Sequence, residues 1–210
     1  MYLQQFVTFV CTLNRINIFS SLNHIDTELF LFLNGIHSPF FDVVFEWISD
    51  RYSWIPFYLI LAVLLGFKFK WKLLVLVPFI TLLIITSDQF SVHFFKDVFL
   101  RLRPCHNPEI VDLVHIVNNH CGGKYGFVSS HAANTFALAV FVGLVLKNHL
   151  KWMFPFLLIW AAVVSYSRIY LGVHYPGDIL GGAALGAIIG FVMWKMLCFT
   201  NTFFKLKLML

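Results

Sequence analysis

Residues 73–95 read LLVLVPFITLLIITSDQFSVHFF, a stretch in which Asp88 is the one side chain with a formal charge when histidine is neutral. A helix needs about 20 mostly apolar residues to cross the hydrocarbon core of a bilayer, and this stretch has that length. The whole 210-residue chain has the same character, with 60% hydrophobic and 12% charged residues. An ordinary soluble domain has about a quarter of its residues charged. The sequence therefore predicts an integral membrane protein.

Four further apolar segments accompany this stretch, at residues 53–67, 130–146, 152–171 and 178–197. We therefore predict an all-α integral membrane fold with a bundle of about five to six transmembrane helices. We assign residues 1–23 to an N-terminal extension, 24–50 to an interfacial helical hairpin, 51–199 to the transmembrane domain and 200–210 to a cytoplasmic tail. The extension has no basic residue before Arg15 and no small-residue cleavage pattern, so a removed signal peptide is not expected.

The predicted hairpin begins at Asp26, which has the character of a helix N-cap. The helical pattern is interrupted at residues 34–35 and 38–39, and apolar residues at helical spacing then follow. Acidic residues share this second segment, namely Asp42, Glu46 and Asp50. An interfacial helix accommodates such acids better than a sixth span does, so we expect the hairpin to lie on the membrane.

Lysines gather at one end of the predicted bundle, and no acidic residue accompanies them. They lie in the connection between the first two segments, in the connection between the third and fourth, and after the last: Lys68, Lys70, Lys72, Lys147, Lys151, Lys195, Lys205 and Lys207. Cytoplasmic loops carry an excess of Lys and Arg, so this end is predicted to face the cytoplasm. The opposite helix ends then face outward.

The outward ends carry an unusual set of polar residues. The stretch SRIYLGVHYPGD, residues 167–178, puts Arg168, His174 and Asp178 within twelve positions. The same face receives Lys96, Arg103 and His131 together with two serines. Cations and hydroxyls that converge in this way suit an anion with several oxygens, and phosphate is the obvious biological candidate. The cations would also stabilise the charge of a phosphoryl-transfer transition state.

Two histidines and one carboxylate can divide the chemistry at such a site. If a helix starts near Tyr175, the carboxylate of Asp178 can bond one imidazole nitrogen of His174 and leave the other free to attack phosphorus. His131 can then protonate the leaving oxygen and later take a proton from water. The same three residues could instead hold a metal, but the nearby cations would repel a divalent ion, so we expect none.

Three motifs resemble those of a known family in their order and spacing. They are KDVFLRLRP at residues 96–104, VSSH at 128–131 and SRIYLGVHYPGD at 167–178. They look like the three signatures of the type 2 phosphatidic acid phosphatase superfamily, membrane lipid phosphatases that share an active-site architecture with vanadium haloperoxidases. The second motif departs from the usual Pro-Ser-Gly-His, since Val128 and Ser130 replace the proline and the glycine. The resemblance covers roughly residues 53–197.

The resemblance implies roles for the matching positions. His174 would be the nucleophile that forms a phosphohistidine, Asp178 its orienting partner and His131 the general acid and base. The phosphate-binding residues would be Lys96, Arg103, Ser129, Ser130 and Arg168. The resemblance also implies that neither a metal nor another cofactor is required.

The predicted function is hydrolysis of a lipid phosphate or diphosphate at the outer face of a bacterial inner membrane, which would make residues 51–199 a phosphatase domain. Lipid A and undecaprenyl diphosphate are the favoured substrates, and phosphatidylglycerophosphate and phosphatidic acid are alternatives. The partners are thus a phosphorylated lipid and the bilayer, and no nucleic acid is expected. A non-catalytic protein that binds or transports lipid phosphate remains a different class of function. A haloperoxidase is disfavoured, because those enzymes are soluble.

Three features near the predicted site carry further expectations. Cys105 and Cys121 bracket the outward loop, where an oxidising compartment would permit a disulfide that holds residues 107–120 as a lid over the site. Arg101 lies close to Lys96 and Arg103 but is not one of the positions that match the family motif, so we expect a surface or packing role. Small residues recur every four positions in the last segment, at Gly182, Gly186 and Gly190, and predict close helix packing inside the monomer or, alternatively, a dimer interface.

Overall fold

The structure, a computed structural model, describes residues 20–208. Its main helices are α1 (Ser20–Asn34), α2 (Pro39–Ser49), α3 (Ile55–Phe69), α4 (Leu73–Gln89), α5 (Ser130–Leu146), α6 (Met153–Tyr170) and α7 (Pro176–Phe203). Within residues 20–208 the regular elements are all helical. The predicted all-α class is therefore confirmed. Most of the predicted N-terminal extension lies outside the described residues, and the division of the chain at residues 23, 50 and 199 stays a prediction.

Each of the five predicted apolar segments is a helix, from α3 to α7. Beyond α4 the chain continues through a π-helical turn, Phe90–Lys96, and one α-helical turn, Asp97–Phe99. Among the described residues, three stretches are long and apolar enough to span a membrane on their own: Tyr52–Phe99, Met153–Tyr170 and Pro176–Phe203. The helix α5 is apolar but has 17 residues. The chain is a multi-pass membrane protein.

The N-terminal pair α1 and α2 is bent by 117° at the predicted break. The two helices qualify as a span only when they are taken together. The side chain of Asn34, at the end of α1, is 1% exposed and donates to the backbone carbonyls of Tyr170 at 2.8 Å and His115 at 3.0 Å. These contacts fix the hairpin against the C-terminal end of α6.

The glycines of α7 pack against α5 inside the monomer. A Cβ added at Gly186 would lie 2.1 Å from the carbonyl oxygen of Ala133, and one added at Gly182 would lie 2.5 Å from that of Ser129. A larger residue at either position would push the two helices apart. The first interpretation of the glycine pattern, close packing within the monomer, is thus confirmed.

The close packing of α5 and α7 sets the geometry of the site. Both helices begin at the same end of the bundle, where the Ser129 backbone N–H donates to the carbonyl of Asp178 over 3.0 Å. The two helices therefore present their N-termini side by side. Helix N-termini carry partial positive charge and unpaired N–H groups, which favour an anion.

The lysine-bearing connections meet at the other end. Lys72 Nζ donates to the carbonyl of Lys207 over 2.6 Å. A crevice there is lined by residues 68–72, by His149 and by Lys207. The basic connections and the predicted site thus lie at opposite ends of the bundle, as predicted from the charge pattern.

Candidate active site

His174 and Asp178 form a buried pair at the start of α7. His174 Nδ1 lies 3.2 Å from Asp178 Oδ2, and the two residues are 1% and 0% exposed. The Tyr175 backbone N–H donates to the same carboxylate oxygen over 3.1 Å. Because α7 begins at Pro176, the predicted turn does start a helix. The carboxylate therefore lies within reach of one ring nitrogen of His174 and leaves the other free.

Arg101 contacts this pair directly, so the expectation of a surface or packing role for it was wrong. Its Nη1 donates to Asp178 Oδ1 over 2.9 Å, so each carboxylate oxygen has its own partner. The guanidinium also lies over the ring of Tyr175, 4.0 Å from the ring centre. Arg101 therefore fixes the orientation of the carboxylate that contacts His174.

Asp26 joins the same network from α1. It accepts from Arg101 Nη2 over 2.7 Å and from the backbone N–H of Gly177 over 2.7 Å. The expectation that Asp26 caps its own helix was wrong, because α1 already includes Ser20, six residues earlier. Asp26 instead caps the N-terminus of α7. No local pattern could reveal this contact, since the two partners are 151 positions apart in the sequence.

Lys96 reaches the N-terminus of α5 through Ser130. Its Nζ donates to Ser130 Oγ over 2.8 Å, and Ser130 Oγ also lies 2.6 Å from Ser91 Oγ. The hydroxyl at position 130, where the family motif usually has glycine, therefore holds the ammonium group in place. Ser91 was not predicted. It lies five residues before Lys96, in the π-helical turn that brings both side chains to α5.

Arg103 and Gly126 close the other side of the site. Arg103 Nη1 donates to the carbonyl of Cys121 over 2.9 Å, and Nε donates to that of Tyr125 over 3.3 Å. A Cβ added at Gly126 would lie 3.0 Å from Asp178 Oδ2, 3.2 Å from Arg103 Cγ and 3.4 Å from His174 Nδ1. No pattern in the sequence pointed to Gly126, yet residues of the first and third motifs lie around it.

Arg168 reaches the site from the last turn of α6. Its Nη1 donates to the hydroxyl of Ser49, the buried last residue of α2. Its Nε is buried and has no hydrogen-bond partner among residues 20–208. The backbone carbonyl of Arg168 accepts from the N–H groups of Val173 and His174, which holds the connection to α7 in a tight turn. A guanidinium with a free N–H can bind an oxyanion.

His131 and Ser129 lie at the first turn of α5. Ser129 is the N-cap, and its buried hydroxyl accepts from the backbone N–H of Ala132 over 3.5 Å. His131 is half-buried, and its carbonyl accepts from Thr135 Oγ1 over 2.8 Å. The residues of the second motif thus surround one helix N-terminus, next to the Asp178 end of α7.

The electrostatic surroundings of His174 favour its neutral form. Burial, followed by the charges of Arg103 and Arg168, lowers the pKa of His174 well below the ordinary value of 6.5. A neutral imidazole has one nitrogen with a free lone pair. At neutral pH the site therefore combines an unprotonated histidine with several cations, an arrangement suited to attack on a bound phosphate.

The loop between Cys105 and Cys121 is held in place by several contacts. The structure joins Cys105 and Cys121 in a disulfide with Cα atoms 6.0 Å apart. Asn107 Nδ2 donates to the hydroxyl of Tyr175 over 3.1 Å, and Asn118 Nδ2 donates to Glu46 Oε1 over 2.6 Å. The loop therefore packs against α2 and the start of α7, beside the candidate site.

Residues 77–201 of the chain match a family model described as the PAP2 superfamily, which is more than half of the sequence. The chain is 43% identical over 176 residues to "Lipid A 4'-phosphatase" of Bacteroides thetaiotaomicron, which covers 82% of this chain and 77% of that protein. It is 37% identical over 182 residues to "Lipid A 4'-phosphatase" of Porphyromonas gingivalis, covering 85% of this chain and 75% of that protein.

A solved structure also resembles this fold. It is described as the first transmembrane PAP2 type phosphatidylglycerolphosphate phosphatase from Bacillus subtilis. The likeness has a TM-score of 0.64 at 24% identity and covers 84% of this chain and 86% of the other. At that identity the comparison bears on the fold alone.

Proposed function

The chain belongs to the PAP2 superfamily, and we propose that it hydrolyses a phosphate monoester of lipid A at the outer face of a bacterial inner membrane. It is a hydrolase that acts on lipid phosphate. The single observation that carries the choice of lipid A is the 43% identity to a lipid A 4'-phosphatase over most of both chains. The outward orientation rests on the lysine-bearing connections at the opposite end of the bundle.

Binding of the phosphate falls to the two helix N-termini and the three cations around them. Lys96, Arg103 and Arg168 carry the charge that the phosphate oxygens require, with Ser129 and Ser130 beside them at the start of α5. Arg168 Nε is a buried donor without a partner among the described residues, which supports its assignment to a phosphate oxygen. Because these cations neutralise the phosphate, the reaction needs no metal ion.

His174 is the nucleophile in this proposal. Asp178 accepts a hydrogen bond from Nδ1–H, so the lone pair of Nε2 is free to attack phosphorus. The new N–P bond forms as the bond between phosphorus and the sugar oxygen breaks. His131 enters this step protonated, the form that the negative charge of the bound phosphate favours, and gives its proton to that leaving oxygen. The lipid departs as an alcohol.

The second step regenerates the enzyme. His131, now neutral, takes a proton from a water molecule, and the water oxygen attacks the phosphohistidine. The N–P bond breaks, inorganic phosphate leaves, and His174 returns to its neutral form. Each histidine thus ends the cycle in its starting protonation state.

Phosphate release tests the proposal. Detergent-purified protein in excess EDTA is given lipid A, undecaprenyl diphosphate, phosphatidylglycerophosphate or phosphatidic acid in separate reactions. We expect release from lipid A to exceed release from the other three, and to be lost in His174→Ala. Release from undecaprenyl diphosphate alone would make that lipid the substrate in place of lipid A. No release from any of the lipids would favour a protein that binds or transports lipid phosphate.

A further inference from the structure

A cavity of about 470 Å³ lies among α3, α4, α5 and α6. Its walls are mostly aliphatic and aromatic, with Leu61 from α3, Ile80 from α4, and Leu138 and Val142 from α5 among them. Pockets that bind organic ligands have volumes of about 300–1,000 Å³, so the cavity is large enough for one. The proposed chemistry leaves it without a role.

The cavity continues the helix face that carries the candidate phosphate site. Residues four apart share a face of a helix, and Ser130, Asn134, Leu138 and Val142 follow one another at that spacing on α5. The last three of them line the cavity. Its wall therefore begins one turn from the hydroxyl that contacts Lys96.

The same continuity holds on α4. Ile84 lines the cavity, and Ser91 follows seven residues later, two turns along the same face. Ser91 Oγ contacts Ser130 Oγ over 2.6 Å, so the two helix faces meet at the site end of the cavity. A molecule held by its phosphate at the start of α5 therefore has the cavity next to it, beginning one helical turn further along α5.

The length of this path suits a lipid tail. From Ser130 to Val142 there are twelve helical steps, or about 18 Å at 1.5 Å each. Half of a hydrocarbon core of about 30 Å is about 15 Å. A chain that starts at the level of the phosphate and runs down to Val142 would therefore cross one leaflet.

Two buried polar atoms lie near the site end of the cavity without a hydrogen-bond partner among residues 20–208. They are Asn134 Oδ1, on the cavity wall, and Ser87 Oγ, which lies on α4 four residues before Ser91. An unpaired polar atom at membrane depth is costly, because no bulk water is there to satisfy it. A hydroxyl or amide near the start of a lipid chain would satisfy the oxygen of Asn134.

We propose that this cavity binds one hydrocarbon chain of the substrate lipid, with Asn134 facing the polar linkage at the start of that chain. The inference rests on the proposed function, since it places the substrate's phosphate at the start of α5. The cavity makes the enzyme selective for phosphates that carry a long chain, and the cations alone would not.

The test compares inhibitors that differ only in chain length. Butyl, octyl, dodecyl and hexadecyl phosphate are used as inhibitors of phosphate release from lipid A in detergent. Ala62→Trp and Thr81→Trp each add an indole to the cavity wall, from α3 and from α4, at positions classed as exposed. Leu59→Trp and Leu82→Trp add the same ring to the same helices outside the lining, at positions 61% and 46% exposed.

In the wild type and in the two control variants, hexadecyl phosphate should inhibit at least about tenfold more strongly than butyl phosphate. In the two cavity variants this advantage should fall below about twofold, with inhibition by butyl phosphate unchanged. Partitioning of the inhibitors into detergent is the same for all the proteins and so cancels. An equal advantage of the long chain in all four variants would overturn the inference.

Failure of the proposed function has a different signature. If lipid A is not hydrolysed at all, the same alkyl phosphates are tested for the rise in melting temperature that they give each protein. A rise that grows with chain length in the controls but not in the cavity variants supports the chain-binding cavity without any turnover. A rise that is the same in all of them contradicts it.

Discussion

The buried pair of His174 and Asp178 is held in place by residues from distant parts of the chain. The spacing of His174 and Asp178 is local, and one turn of α7 is enough to bring them together. The contacts of Arg101 and Asp26 with the α7 N-terminus span more than 70 positions, and they depend on how α1 docks. Ser130 departs from the family pattern. Its role as an acceptor for Lys96 becomes visible only when the structure places the π-helical turn of Lys96 beside the start of α5.

His174 should remain neutral at pH 6.5, where an ordinary histidine is half protonated. Its pKa is lowered, so acid must reach a pH below 6.5 before Nε2 gains a proton and loses the lone pair needed for attack. Nitrogen NMR of labelled imidazoles, with His174→Ala to assign the signal, measures this without interference from ionisation of the substrate. Half protonation of His174 at pH 6.5 or above would contradict the prediction.

Arg101 should act through Asp178 without binding the substrate. Arg101→Gln removes the charge that holds Asp178 Oδ1, so we expect kcat to fall by up to about a hundredfold while KM changes little. The matched control is His93→Ala, which alters an exposed ion pair near the same motif. Steady-state kinetics on lipid A measures both variants. Equal activities in the two, or a rise in KM alone, would show that Arg101 does not position the pair.

At the scale of helices, apolar length and turn signals were sufficient to locate α3 to α7. The same signals could not establish whether the N-terminal segment spans the membrane or lies on its surface, because its acidic residues favour the surface without excluding a span. In the structure two of those acids have distant partners: Asn118 Nδ2 donates to Glu46 Oε1, and the hydroxyl of Tyr170 donates to Asp42 Oδ1. The glycine pattern of α7 left two interpretations open, and only the position of α5 distinguished them.

Gly186 should not tolerate a side chain. A Cβ there would lie 2.1 Å from the carbonyl oxygen of Ala133, so Gly186→Ala must push α5 and α7 apart. We expect a loss of about 1–3 kcal/mol in the free energy of unfolding. Thermal unfolding in detergent measures it, with Gly123→Ala as the control, since a Cβ there meets no atom within 4 Å. Equal melting temperatures for the two variants would refute the packing argument.

The disulfide between Cys105 and Cys121 should stabilise the protein against unfolding. Closing a loop of this size restricts the unfolded chain and is worth roughly 3 kcal/mol on the chain-entropy model. Peptide mapping of protein purified without reductant should recover the two cysteines as one linked peptide. Recovery of both as free thiols would rule the bond out.

In the whole molecule, the lysine-bearing connections and the three motifs lie at opposite ends of the bundle, as the charge pattern along the sequence predicts. Lysines without acidic neighbours gather at one end, and the three motifs gather at the other. The cavity among α3 to α6 could not be predicted, because periodicity assigns a face to each helix and does not say how closely neighbouring faces pack. A family resemblance likewise identifies the reacting groups, whereas the chain-binding space depends on the apolar residues between the motifs.

During turnover His174 should carry the phosphoryl group. The most direct measurement is the exchange of oxygen between water and isotopically labelled inorganic phosphate, followed by mass spectrometry in the absence of lipid. A phosphohistidine formed from phosphate releases water, so the wild type should exchange the label and His174→Ala should not. Exchange that persists in His174→Ala, or lipid A hydrolysis by a wild type that exchanges nothing, would show that His174 is not the nucleophile.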